Sequence, residues 1–172
     1  WAGTLAAVKE VEVLTGKGFG NAADPLLVSV RSGAKFSMPG MMDTVLNLGL
    51  NEETLHGLVA LTGNERFGWD AYRRFIQMFG RIVMDVKGER FDHALDAAKA
   101  AHGAVQDTDL DAAALQALTG EFKAIVREDT GRDFPSDPYD QLDLSIKAVF
   151  ASWFGKRAMD YRNNQKIAHD LG

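Results

Sequence analysis

The stretch from Leu26 to Asn51, LLVSVRSGAKFSMPGMMDTVLNLGLN, limits the possible folds of this chain more than any other. Leu26, Leu27, Val28 and Val30 favour extended backbone, and their near-continuous apolarity predicts a strand covered on both faces. Arg31 then stands at the end of a buried strand, where a rigid scaffold can aim its planar guanidinium at an anion. Ser32 and Gly33 turn the chain, and Pro39-Gly40, within the run Ser37 to Met42, is the strongest turn signal in the sequence.

Outside that stretch the spacing is helical. Leu5, Val8, Val11 and Leu14 recur every third residue between Thr4 and Leu14, predicting a short helix with one apolar face that Gly16 ends. The run TGKGFG at Thr15 to Gly20 lacks the GxxxxGK[ST] pattern of a phosphate loop, so a helix stop and connector is expected, with phosphate contact by Lys17 as the other reading. Met38, Met41 and Met42 are polarizable fillers for a core, or for a surface that meets a base or a neighbouring domain. Asp43 is expected to cap backbone rather than bind metal. Asn51, Glu52 and Glu53 open a helix with Leu55, Leu58 and Val59 at core spacing, broken at Gly63. A longer helix over 64–79 carries Phe67, Ala71, Phe75 and Phe79 in one stripe, widened by Tyr72 and Ile76, with Arg73 and Arg74 on its flanks.

Phe91 to Ala101 is alanine-rich and helix-forming. Thr108 or Asp109 is placed to cap a helix with Leu110, Leu115, Leu118, Phe122, Ile125 and Val126, followed by a polar link from Asp129 to Pro138. A last apolar side gathers Leu142, Ile146, Val149 and Phe150, with Trp153 one turn on. The expected fold is α+β and predominantly helical: a small strand-and-turn edge near 20–50 joined to a helical subdomain over about 51–165.

At 172 residues the chain has one domain's worth of core, and 46% apolar with 25% charged residues argues against disorder. It contains no cysteine, which excludes disulfides, thiolate nucleophiles and cysteine metal sites. A formal charge of -5 gives no global attraction for nucleic acid or an anionic membrane. No apolar run approaches the roughly 20 residues that cross a bilayer, so neither a membrane nor a nucleic-acid partner is expected and a cytoplasmic location is. Trp1 and the closing run NNQKIAHDLG suit an excised piece of a longer protein.

His56, His93, His102 and His169 are isolated, without metal-site spacing. Ser29, Ser32 and Ser37 lack a nucleophile elbow, and the pairs Glu52-Glu53 and Asp109-Asp111 look like helix-start and solvent-facing acids. The arginines say more. Arg31 at a strand end and Arg74 on a rigid helix, brought together, make an electropositive clamp for a polyphosphate; ion pairing to protein carboxylates is the competing role. Lys156, Arg157 and Arg162 form a second basic cluster, expected to make salt bridges within or beside the helical part.

Three segments add a resemblance. RSGAKFSMPGMMDTVLNLGLN (31–51), TGNERFGWDAYRRFIQMFG (62–80) and FPSDPYDQLDLSIKAVFASW (134–153) closely resemble, in the same order, the nucleotide-binding domain of pyruvate, phosphate dikinases. That resemblance implies part of an ATP-grasp domain, in which Arg31 and Arg74 match phosphate-contacting arginines and Arg73 is the fallback for the second. It also implies a homodimeric parent enzyme that uses ATP and magnesium, phosphorylates a histidine on a mobile domain, and carries a pyruvate-binding barrel. Its reaction interconverts ATP, phosphate and pyruvate with AMP, diphosphate and phosphoenolpyruvate. The histidine segment and the barrel find no match here, the acidic magnesium-binding segment is expected beyond Gly172, and an upstream nucleotide lysine is not identifiable. The chain alone is therefore expected to bind nucleotide weakly and not to complete the cycle. A helical regulatory or interaction module, and a related phosphotransferase with another acceptor, are the alternatives; the run MPGMMDTVLNLGLN favours the pyruvate family.

Overall fold

Four helix starts in this chain are set by capping side chains. In the computed structural model, which describes residues 1–33, 35–36 and 38–170, Asn51 opens α2 (Glu52–Thr62) with a reciprocal capping box. The Asn51 side chain accepts from Thr54 N–H at 2.9 Å, and Thr54 Oγ1 accepts from Asn51 N–H at 2.8 Å. Asn64 caps α3 (Glu65–Ile82) through Phe67 N–H, and Asp137 caps α6 (Pro138–Ser152), which begins on proline. α1 (Ala2–Thr15), α4 (Gly88–His102), α5 (Ala112–Thr130) and α7 (Lys156–Gln165) complete the helices, making the fold α+β and predominantly helical. The α5 cap is Asp111, accepting from Ala114 N–H at 2.8 Å, rather than Thr108 or Asp109. Those two belong to a 3-10 turn (Asp107–Asp109), in which Asp109 accepts from Val105 and Gln106 N–H.

α3 is the centre of the molecule, touching α2, α4, α5 and the sheet edge. Its buried face carries Trp69, Tyr72, Phe75, Ile76 and Phe79, each contributing on the order of 2 kcal/mol by leaving water. Phe134 inserts among Tyr72, Phe75 and Phe79 with ring centroids 5.3 to 6.5 Å apart, and Phe91 meets Phe122 edge-on at 4.9 Å. The expected stripe is rotated: Phe67 is exposed and Arg73, expected on a flank, is buried.

The strand region departs from expectation more sharply. Leu26 to Arg31 is two strands, not one. β2 (Pro25–Leu26) pairs in parallel with β1 (Gly18–Phe19), while β3 (Val28–Arg31) pairs antiparallel with β4 (Thr44–Leu48). β3 is half-buried with alternating faces, because its two-stranded sheet is backed by α6 rather than enclosed. Its register places Val28 opposite Leu48, Val30 opposite Val45 and Arg31 opposite Thr44, which leaves one extra residue in β4. Asn47 takes up that bulge at a φ of 60°, a left-handed conformation asparagine tolerates.

Gln141 of α6, fully buried, locks β4 in place. It accepts from Gly49 N–H at 3.0 Å and donates to the carbonyls of Leu50 and Pro135 at 3.1 and 2.9 Å. Two expected apolar faces stay partly in solvent: Val11 and Leu14 of α1, where Val8 alone is buried, and Phe150 of α6.

Candidate functional site

Arg31 ends β3 on the exposed side of the strand, directly across the ladder from Thr44. Among the described residues its guanidinium meets no carboxylate within salt-bridge distance and makes no hydrogen bond. Twelve residues, 32–43, separate these ladder partners in the sequence. Ser37, the first residue of the expected methionine turn, lies outside the described residues; Met38 is buried, and Met41 and Met42 are half-buried.

Beside the strand end opens a cavity of about 700 Å³. Val30 and Met42 form its sheet-side wall, Ile146, Val149 and Phe150 its α6 wall, and Trp153 and Phe154 its floor beyond the helix, with Arg31, Ser32, His169 and Asp170 supplying polar groups. An apolar chamber with few polar groups beside an unpaired cation suits a flat apolar moiety bearing an anion. Trp153 is held rigidly: the fully buried Arg162 stacks on its ring at 4.0 Å and donates to its carbonyl at 2.6 Å. Arg162 also donates to His169 Nδ1 at 3.0 Å, and among the described residues it pairs with no carboxylate, contrary to the expected salt bridge.

Arg74 is not part of this lining. It projects from α3, 65% exposed, and pairs with Asp70, which is 5% exposed. Arg73 turns inward and grips the same Asp70 at 2.6 Å and Asp107 at 3.2 Å. Burial pushes the Asp70 carboxyl up, but the hydrogen bonds and charges of Arg74 and Arg73 outweigh it and hold the group below its ordinary value of 3.8. The cavity thus joins Arg31 to α6 and the segment around His169, while Arg74 belongs to a separate charged cluster.

Sequence reasoning missed what holds the loop after Arg31. Asp43 caps no helix: its carboxylate takes a 2.9 Å bond from Arg157 Nη2, and its N–H donates to Ser152 Oγ at 3.2 Å. Those partners lie 109 and 114 residues away, and no local pattern announces them. Lys17, raised as a phosphate contact, pairs with Asp24 at 3.2 Å. His56, His93 and His102 are exposed and scattered, and among the described residues no group of three or more His, Asp or Glu side chains could hold a metal ion. No helix among those residues is long and apolar enough to cross a membrane.

The family model described as pyruvate phosphate dikinase, AMP/ATP-binding domain, matches residues 4–171. The chain is 50% identical over 165 residues to a pyruvate, phosphate dikinase of Giardia intestinalis, covering 96% of this chain and 19% of the relative. It is 53% identical over 157 residues to that of Entamoeba histolytica, covering 91% and 18%. With the Clostridium symbiosum protein it shares 51% over 167 residues, covering 96% and 19%. The chain therefore spans about a fifth of the length of these relatives.

Proposed function

Since the chain belongs to the pyruvate phosphate dikinase AMP/ATP-binding domain family, we propose that it is the phosphate-gripping part of the ATP site in a longer dikinase. In that protein ATP phosphorylates a histidine on a mobile domain, and a pyruvate-binding domain completes the exchange of ATP, phosphate and pyruvate for AMP, diphosphate and phosphoenolpyruvate. The observation that carries the proposal is Arg31: an exposed guanidinium without a carboxylate partner among the described residues, at the edge of an apolar cavity. A cation so placed stabilises the charge that spreads over phosphoryl oxygens during transfer.

Arg74 is proposed as the second phosphate contact. Its bond to Asp70 does not argue against this, because Arg73 keeps Asp70 compensated when Arg74 turns to an anion. Arg73, buried on two carboxylates, has the structural part. The division into a strand-and-turn region near 20–50 and a helical subdomain over about 51–165 is proposed as the partial ATP-grasp arrangement that separates the two arginines. The magnesium that accompanies ATP is proposed to be held by residues outside this chain, and no step here is routed through it. A homodimeric, cytoplasmic parent completes the proposal.

The test is replacement of each arginine by alanine in the longer protein, followed by ATP-dependent histidine phosphorylation. Loss of about a hundredfold for Arg31→Ala, the scale of removing one charge-stabilising donor, is expected with an unchanged melting temperature. A folded Arg31→Ala protein that phosphorylates at the parental rate would sink the assignment.

A further inference from the structure

The loop that follows Arg31 is held at its far end by groups that no motif marks. Arg157, at the start of α7, donates from Nη2 to the Asp43 carboxylate at 2.9 Å and from Nη1 to the Gly40 carbonyl at 3.3 Å. Ser152, the last residue of α6, accepts the Asp43 N–H at 3.2 Å while its own hydroxyl donates to the Val149 carbonyl at 2.7 Å. Three bonds therefore converge on residues 40–43 from the α6–α7 junction. Thr44, next in the chain, is the ladder partner of Arg31, and Met42, two residues before it, walls the cavity that Arg31 borders.

We propose that Arg157, together with Ser152, is a positioning residue of the nucleotide site: it clamps Asp43 and Gly40 so that the strand bearing Thr44, and with it the Arg31 guanidinium, is set against the cavity wall. The physical case is one of entropy and leverage. A connection closed only at its ladder ends would sample many conformers. Tying its last residues to a helix junction removes that freedom where the connection rejoins β4. As a stabilising contact the pair is weak, since Arg157 is 67% and Asp43 29% exposed. Its effect therefore falls on the placement of Arg31 rather than on whether the chain folds. This proposal rests on the assignment of Arg31 to nucleotide phosphate.

The experiment measures ATP-dependent histidine phosphorylation in the longer protein that carries this segment, separating KM for ATP from kcat. Arg157→Ala is expected to raise KM about fivefold, the factor that corresponds to losing one partly exposed ion pair, with the melting temperature unchanged. Arg157→Lys keeps the charge and recovers part of the loss. Arg157→Asp combined with Asp43→Arg restores KM toward the parental value, whereas each single reversal does not. A merely structural contact would show itself in the melting temperature and leave KM for ATP unchanged. Unchanged KM in Arg157→Ala, beside a large loss in Arg31→Ala, overturns the clamp and leaves the nucleotide assignment standing. Parental activity in Arg31→Ala overturns the assignment and the clamp with it. A reversed pair no better than either single reversal also overturns the clamp.

Discussion

Asp70 shows how one side chain decides between two neighbours. Adjacent helical positions point about 100° apart, so Arg73 and Arg74 cannot share a direction, and the spacing of apolar residues in α3 does not say which turns inward. The answer lies in a buried carboxylate that needs a buried cation: Asp70 draws Arg73 into the interior and leaves Arg74 at the surface. This has a pH signature. With a folded value held below 3.8, the Asp70 carboxylate contributes stability that is fully present above that ordinary value and is lost as pH falls through the depressed one. Replacing Asp70 by Asn is expected to flatten the acid limb of a stability-pH curve and to cost about 3 kcal/mol near neutrality, because Arg73 then keeps Asp107 as its one carboxylate among the described residues. An acid limb of unchanged slope in urea titrations would contradict it. That Arg31 ends a strand was legible at this scale because a single cation after an apolar run and before a glycine turn is conspicuous; its exposure was not, since the strand proved half-covered.

Among elements, most helices and the presence of a small strand-containing edge were legible, while α7 and the pairing of the strands were not, for a physical reason. Asn51, Asn64 and Gly63 mark helix ends by local hydrogen bonds and backbone geometry, so sequence neighbours suffice to place α2 and α3. The break at Leu27, between a parallel and an antiparallel pair, depends on partners at Gly18 and Leu48 that local apolarity cannot reveal. Phe150 likewise has the right spacing for the core face of α6, yet is exposed beside a cavity. Two substitutions test element contacts. At Gly57 an added methyl would stand 1.9 Å from the Ala22 carbonyl, so Gly57→Ala is expected to push α2 off the segment before β2 and cost about 3 kcal/mol, read from denaturant midpoints. Gln141→Leu removes the buried partner of Gly49 N–H and the Leu50 carbonyl. A loss of about 2 kcal/mol is expected, with faster amide exchange at Gly49; exchange at the parental rate would show that the bond is not what holds β4.

Taken whole, the molecule presents an apolar cavity and a cationic edge but no cluster of metal-binding side chains among its described residues. Spanning about a fifth of its relatives, the 172-residue chain is expected to give no sustained pyruvate-dependent turnover in a coupled assay; steady product formation by the pure chain would refute that. The resemblance in three ordered segments was legible because sequence similarity is read without any knowledge of contacts, while the α6 wall of the cavity was not, since it assembles from residues more than a hundred positions from Arg31. The stacking of Arg162 on Trp153 has a use of its own. The chain has three tryptophans: Trp69 is sealed in the core, Trp1 is in solvent, and Trp153 forms part of the chamber. With Trp1 and Trp69 replaced by phenylalanine, the remaining indole becomes an optical reporter, whose emission should change when the chamber fills and stay constant when a ligand settles elsewhere.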